Sequence, residues 1–459
     1  MLDMLWNIPS QPVMFQIVLL ILLLLIAESA FRLKQLRWGI AGIVYITIGL
    51  WYFIDPIYRP EVYEWLSDSE WTTVYIQVLI FLVAFRITVE VLVPRTASRV
   101  LRAFNPRELD SGSFVTTVLL LWSILFLIGM YRADFRFLDA LFPMGARWQG
   151  AQMWSRARLG GFADFLSSLG MYGYLMTCAV FGLIAVGTRR PSLRFGMLAM
   201  MCLTWPMFAL SGSRSLLLTV AVPSILGALI LKRWSRLQQA LFLAVCFLTI
   251  NTIMLVSIAY RSKGVNQFFL EEDYSAALDD AEHNGLNMPE ELAYINSYQH
   301  EGRLEPELGY EYFSQAVNFV PRFIWPGKPF PGEKFAALRV GYHNGTVAAT
   351  VSNGLVGQGV QNFGRWIGPA VPAILLAILT AWMCRLTKRG IPFLRSSVVI
   401  FLMSLIPNLG RDITLLNLWP AIFACAGVFA YEKMNGTLMV APAQKIQLQR
   451  KRPAPDSFH

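Results

Sequence analysis

Apolar residues in this chain gather into runs of bilayer-crossing length, separated by polar stretches. A helix rising 1.5 Å per residue needs roughly 17 to 25 apolar residues to cross the hydrocarbon. The runs near 12–30, 38–54, 72–93, 113–131, 165–187, 193–210, 215–231, 238–260, 366–384, 392–407 and 414–431 approach or meet that length. The pattern predicts an all-α, polytopic integral membrane protein of about eleven transmembrane helices, a single integral domain over 1–459. Most connections are short, but 132–164 and 261–365 are long, and long loops beside a tight bundle are where function concentrates. The larger loop opens on acidic residues, Glu271, Glu272, Asp273, Asp279 and Asp280, followed by helix-compatible sequence over 289–298. Over 310–317 apolar residues recur at helical spacing, which predicts a helix lying along the outer face.

Composition agrees with this class: 55% of residues are hydrophobic and the mean hydropathy is +0.49. Basic residues cluster in alternate short connections, at Arg32, Lys34 and Arg37, at Arg95, Arg99, Arg102 and Arg107, at Arg189, Arg190 and Arg194, at Lys232, Arg233 and Arg236, and at Arg385, Lys388 and Arg389. The positive-inside rule then places those loops in the cytoplasm, the N-terminus and the 261–365 loop outside, and the 432–459 tail inside. The net charge of +10 describes topology and not nucleic-acid binding. Lys445, Arg450, Lys451 and Arg452 make the tail basic, suited to solution or to anionic lipid. The first twelve residues carry only Asp3, so no cleaved signal peptide is expected. All five cysteines fall within or at the ends of spans, and no His or Cys pair has zinc-ligand spacing. No metal and no cofactor are predicted.

Four arginines stand at the outer ends of spans or in the outer loop. Arg214 lies in the short turn Leu210-Ser-Gly-Ser-Arg-Ser215, Arg261 directly follows the eighth span, and Arg411 occupies Pro407-Asn-Leu-Gly-Arg-Asp412. Arg322 belongs to Asn318-Phe-Val-Pro-Arg-Phe-Ile-Trp-Pro-Gly-Lys-Pro329, a stiff cationic and aromatic stretch. Converging in a dry cleft, such cations would hold a diphosphate; as isolated span-end residues they would snorkel to the headgroups. The block 353–364 carries four glycines, allowing close backbone approach to a ligand or to a partner helix.

These stretches, Ser-Gly-Ser-Arg214, the 318–329 block, 350–364 and Asn408-Leu-Gly-Arg411, resemble the oligosaccharide repeat-unit polymerases of bacterial surface polysaccharides, the Wzy type. The resemblance implies a polytopic enzyme of the bacterial inner membrane with a large periplasmic loop, similar in architecture to GT-C membrane glycosyltransferases and to O-antigen ligases. Its substrate would be a polyprenyl-diphosphate-linked oligosaccharide in the bilayer, and its partners would include chain-length regulator and flippase proteins. Arg214, Arg261, Arg322 and Arg411 would then balance the departing charge. His343 in Gly341-Tyr-His-Asn344 is the first candidate for general base and Glu311 in Tyr310-Glu-Tyr312 the second. Asn318, Trp325, Lys328, Tyr310, Tyr312 and Asn362 are candidates for substrate binding, although the aromatic ones would equally anchor an interfacial helix. An O-antigen ligase and a glycolipid flippase or transporter remain alternatives. So does a transferase using an acidic pair in the first external loop, where Asp55 and Asp68-Ser-Glu70 lie.

Overall fold

The computed structural model describes residues 8, 11–33, 35–58, 64–93, 112–145, 153–154, 161–210, 214–232, 234–260, 263–269, 287–318, 320, 324–343, 346–347, 351–387, 392–413 and 415–434. In chain order the α-helices are α1 (Val13–Phe31), α2 (Leu36–Tyr52), α3 (Ile54–Tyr58), α4 (Asp68–Leu92), α5 (Gly112–Arg132), α6 (Phe137–Leu141), α7 (Gly161–Gly187), α8 (Pro191–Leu210), α9 (Arg214–Leu231) and α10 (Arg236–Ala259). They continue through α11 (Met288–His300), α12 (Tyr310–Val317), α13 (Glu333–Val340), α14 (Leu355–Phe363), α15 (Ala370–Leu386), α16 (Pro392–Leu409) and α17 (Leu415–Met434). A two-residue antiparallel pairing, β1 (Tyr342–His343) with β2 (Thr346–Val347), follows α13.

Each of the eleven apolar runs forms one helix, because a backbone in hydrocarbon must satisfy its own hydrogen bonds. Among the described residues, six helices are long and apolar enough to cross a membrane, and four more are shorter apolar helices. The chain is a helical membrane protein. The bundle has two neighbouring groups. In one, α1, α2, α4 and α15 pack together under α11 and α14; in the other, α5, α7, α8 and α9 pack on one another. α16 joins them, touching α9 on one side and α2 on the other.

Polar contacts sort to the two ends of this bundle. At one end Arg86 bridges Glu28 and Glu90 at 3.1 and 2.9 Å, Arg37 reaches Glu90 at 3.2 Å, and Arg395 of α16 pairs with Glu432 of α17. At the other, the C-terminus of α2 and the loop helices α11 and α14 meet the turn after α16. The ends of α1, α2 and α4 thus share one set of ion pairs, and the opposite end of α2 meets the loop helices.

α11 is polar in composition yet mostly buried, because its polar side chains have partners inside the protein. Gln77 of α4 and Asn296 of α11 exchange two amide hydrogen bonds, at 2.9 and 2.8 Å, and neither residue is more than 4% exposed. Arg339 of α13 meets Glu291 of α11 through a two-pronged contact at 2.9 and 3.1 Å and lies over the ring of Tyr294. The large loop is thus clamped to the bundle.

Candidate functional site

The glycine-rich block is a helix. Gly354 and Gly364 bracket α14 with φ of +73° and +78°, the left-handed region that starts and stops a helix most easily at glycine. Everything from Leu355 to Asn362 is buried. Gly359 lies so close to Gly368 that a Cβ there would run into the Gly368 carbonyl, which explains glycine in a helix it otherwise weakens. Leu355, Val356 and Val360 enter the core, while Gln358, Gln361 and Asn362 are 0 to 1% exposed and bond to surrounding chain.

Those amides organise what lies around them. Gln358 accepts from the Ile413 N–H at 3.0 Å and donates to the Ile413 carbonyl at 3.3 Å, holding the turn after α16. Leu355 N–H donates to the Gly410 carbonyl at 3.2 Å, and Ser352 Oγ donates to the Arg411 carbonyl at 3.1 Å. Asn362 donates to the Gln358 carbonyl at 2.7 Å and accepts from the Glu311 N–H at 3.1 Å, which ties α12 to α14. At the far end of α2 the Tyr52 hydroxyl accepts from Val356 N–H at 2.8 Å. Gly410 touches Thr47 and Trp51 where a Cβ would stand, so the turn sits directly on α2.

Arg411 is exposed on this turn, and Asp412 beside it is partly exposed as a residue while its carboxylate accepts from the Ser352 hydroxyl inside the turn. Desolvation raises the Asp412 carboxyl above its ordinary value, against the opposing pull of Arg411 and the Ser352 hydroxyl at 3.2 Å. Glu311 is 4% exposed, with Gln315 Nε2 and the Gly332 N–H donating to it at 3.1 and 2.5 Å. Burial raises its carboxyl too; the Gln315 and Gly332 bonds pull it back, while Glu307 and Asp412 push it further up. Burial likewise lifts the Tyr312 hydroxyl well above its usual range, reinforced by Glu311 and Tyr52. Asp412 acts on Glu311 and Tyr52, and Glu311 and Tyr52 act on Tyr312, which links the four groups into one polar centre at the end of the bundle.

The predicted site residues divide. Arg411, Glu311, Tyr312 and Asn362 belong to this centre. Tyr310, half-exposed, stands outside it in a shallow cleft of about 450 Å³ with Pro306, Glu307, Leu308 and Lys334. Tyr312 is packed on Phe363, with ring centroids 6.2 Å apart. Asn318 and Lys328 are joined to each other: Lys328 Nζ donates to the Asn318 carbonyl, Asn318 Oδ1 and the Val320 carbonyl at 2.9, 3.1 and 3.0 Å, closing the loop on itself. Trp325 is 38% exposed on that loop. Arg261 and Arg322 lie outside the described residues, as do the side chains of Arg214 and His343. The backbone of Arg214 starts α9 five residues before Thr219, whose hydroxyl accepts from Asn408 Nδ2 at 3.1 Å, so the Arg214 and Arg411 turns share one end of the bundle.

Of the rival acidic pair, Glu70 caps α4: its carboxylate accepts from the Ser67 N–H at 2.9 Å and Glu70 N–H donates to Ser67 Oγ at 3.3 Å. Sequence reasoning missed Asp412, Gln358, Ser352 and Tyr52. Asp412 carried a signal, a carboxylate next to Arg411 in a turn between apolar runs. Comparison of the chain with protein-family models, with curated proteins and with solved structures gave no match.

Proposed function

We propose that this protein is a membrane glycosyltransferase that polymerises polyprenyl-diphosphate-linked oligosaccharide units into a surface polysaccharide. In this reading it spans the bacterial inner membrane about eleven times in a GT-C-like arrangement, its N-terminus and large loop periplasmic and its C-terminus cytoplasmic. The observation that carries it is the turn after α16, held on α14, where the exposed Arg411 stands beside Asp412 and the desolvated Asp412 carboxyl in turn raises that of Glu311, at the end of the bundle where the large loop docks.

The chemistry needs both kinds of group. The acceptor hydroxyl forms a bond to the anomeric carbon as the bond from that carbon to the diphosphate breaks. The electron pair leaves with the diphosphate, and the hydroxyl proton passes to a base. Guanidinium groups at Arg411 and the neighbouring Arg214 turn balance the leaving charge. A carboxylate with a raised pKa is a stronger proton acceptor than an ordinary one, which suits Glu311 to the second task. The half-exposed rings of Tyr310 and Phe313 on α12 offer apolar surface at the membrane edge, where a lipid carrier would lie.

Purified protein given only a lipid-diphosphate oligosaccharide, with chelator and without nucleotide, is expected to make longer chains still attached to lipid and to release free lipid diphosphate. Elongation only after addition of a lipid A core acceptor would make it a ligase. Transfer of the glycolipid across vesicles without lengthening would make it a transporter. Either result would overturn the polymerase.

A further inference from the structure

At the end of the bundle opposite this centre, three arginines surround one indole. The guanidinium carbons of Arg86, Arg32 and Arg37 lie 4.4, 5.0 and 5.2 Å from the ring centroid of Trp38. Two carboxylates answer them: Glu28 pairs with Arg32 and Arg86, each at 3.1 Å, and Glu90 pairs with Arg86 at 2.9 Å and with Arg37 at 3.2 Å. Three cations against two anions leave one positive charge over. The Arg37 side chain is 5% exposed, but those of Arg86 and Arg32 are 25% and 48% exposed, so the surplus charge faces outward. Trp38 is fully buried and its indole N–H has no hydrogen-bond partner, an expensive state for a donor. The buried Ser29 hydroxyl on α1 is also without one. The same helices expose large apolar side chains beside the arginines: Phe31 is 81%, Ile87 58% and Val91 76% exposed.

We infer that the α1–α2–α4 end binds the phosphodiester of an anionic phospholipid, with Arg32 and Arg86 holding the phosphate. A monoanion brings the cluster to neutrality, and charge-assisted hydrogen bonds from guanidinium groups suit phosphate oxygens. The apolar residues flanking the arginines suit acyl chains, which favours a lipid over a soluble phosphodiester. This site stands independently of the polymerase reading, being built from different residues at the other end of the bundle.

The test uses the full chain in neutral detergent micelles doped with equal amounts of phosphatidylglycerol and phosphatidylcholine, with retained lipid counted by native mass spectrometry. Wild type is expected to retain phosphatidylglycerol selectively, and Arg32→Gln to hold it about tenfold more weakly, the equivalent of one charge-assisted hydrogen bond. Glu28→Gln, which removes a competing anion and keeps all three arginines, is expected to retain at least as much as wild type. This separates loss of the phosphate ligand from general damage to the cluster. Equal retention by wild type and Arg32→Gln, or equal loss in both variants, would overturn the site. Soluble glycerophosphoglycerol competing at the same concentration as the lipid would overturn the lipid as its occupant.

Discussion

Gln358 and Ile413 hold each other by both hydrogen bonds of a side-chain amide, one given at 3.3 Å and one taken at 3.0 Å, across 55 residues of sequence. The amide does for the turn after α16 what a neighbouring strand does for a peptide. It satisfies an N–H and a carbonyl that would otherwise be desolvated beside a membrane. Because Arg411 and Asp412 immediately precede Ile413, the position of both charged groups depends on an uncharged residue of a different helix.

Replacing Gln358 with Leu keeps the bulk and leaves Ile413 with an unmet donor and acceptor, at a cost of about 1 to 3 kcal/mol for each buried group. The unfolding temperature of the detergent-purified protein is expected to fall, and polymer length on a gel to shorten at matched protein level. Full-length polymer from a variant present at wild-type level would show that the turn does not need this clasp.

Gly410 gives a sharper steric prediction. A Cβ there would overlap Thr47 and Trp51 of α2, whereas one at Gly427 on α17 would meet nothing within 4 Å. Gly410→Ala is expected to cost roughly 1 to 3 kcal/mol, the range of overpacked cores, and to reduce membrane-inserted protein on an immunoblot. Gly427→Ala is expected to match wild type. Equal levels of the two variants would mean that α16 and α2 are not in contact at this turn.

The contrast between these glycines and the helices around them shows what the sequence could and could not disclose. Eleven helices were legible because run length and hydropathy are local and a lipid environment leaves the backbone little choice. α12 was legible from its spacing. α14 was not legible as a helix: its glycines lower helix propensity, and its stability comes from α11, α12 and α15 packed around it, which sequence spacing does not report. Lys328 shows a contact that residue type does not report. Its residue type suited a phosphate, but its ammonium is held by Asn318 and Val320, acceptors that only the folded loop brings near.

At the opposite end, the buried pair of Arg395 and Glu432 predicts an asymmetry between single and double variants. Arg395 donates three hydrogen bonds to a carboxylate that is fully buried, with Phe429 stacked against the guanidinium. Removing one partner strands a charge, which costs about 3 to 5 kcal/mol, whereas replacing both with apolar residues is often nearly neutral. Arg395→Met is therefore expected to lower the unfolding temperature more than Arg395→Met with Glu432→Leu. A double variant as unstable as the single would mean that the contribution lies in packing and not in charge.

The final prediction concerns Glu311 and Asp412, whose carboxyls are raised from ordinary values of 4.5 and 3.8, in both cases first by burial. A carboxyl with a folded-state pKa above its unfolded one holds its proton more tightly in the native state. Stability then falls as pH rises from the ordinary value through the raised one, and the loss is complete above it. The side chain of Glu311→Gln does not titrate, and its carbonyl can still accept from the Gly332 N–H. Its unfolding temperature is expected to gain on wild type as pH rises from the ordinary carboxyl value through the raised one, and then to level off. For the reaction the sign is opposite: proton acceptance requires the ionised form, so wild-type elongation is expected to rise with pH above the ordinary carboxylate range, and Glu311→Gln to lose elongation at every pH while remaining folded. A stability difference between wild type and variant that stays constant across this range would remove Glu311 as a raised carboxyl, and normal elongation by the variant would remove it as the base.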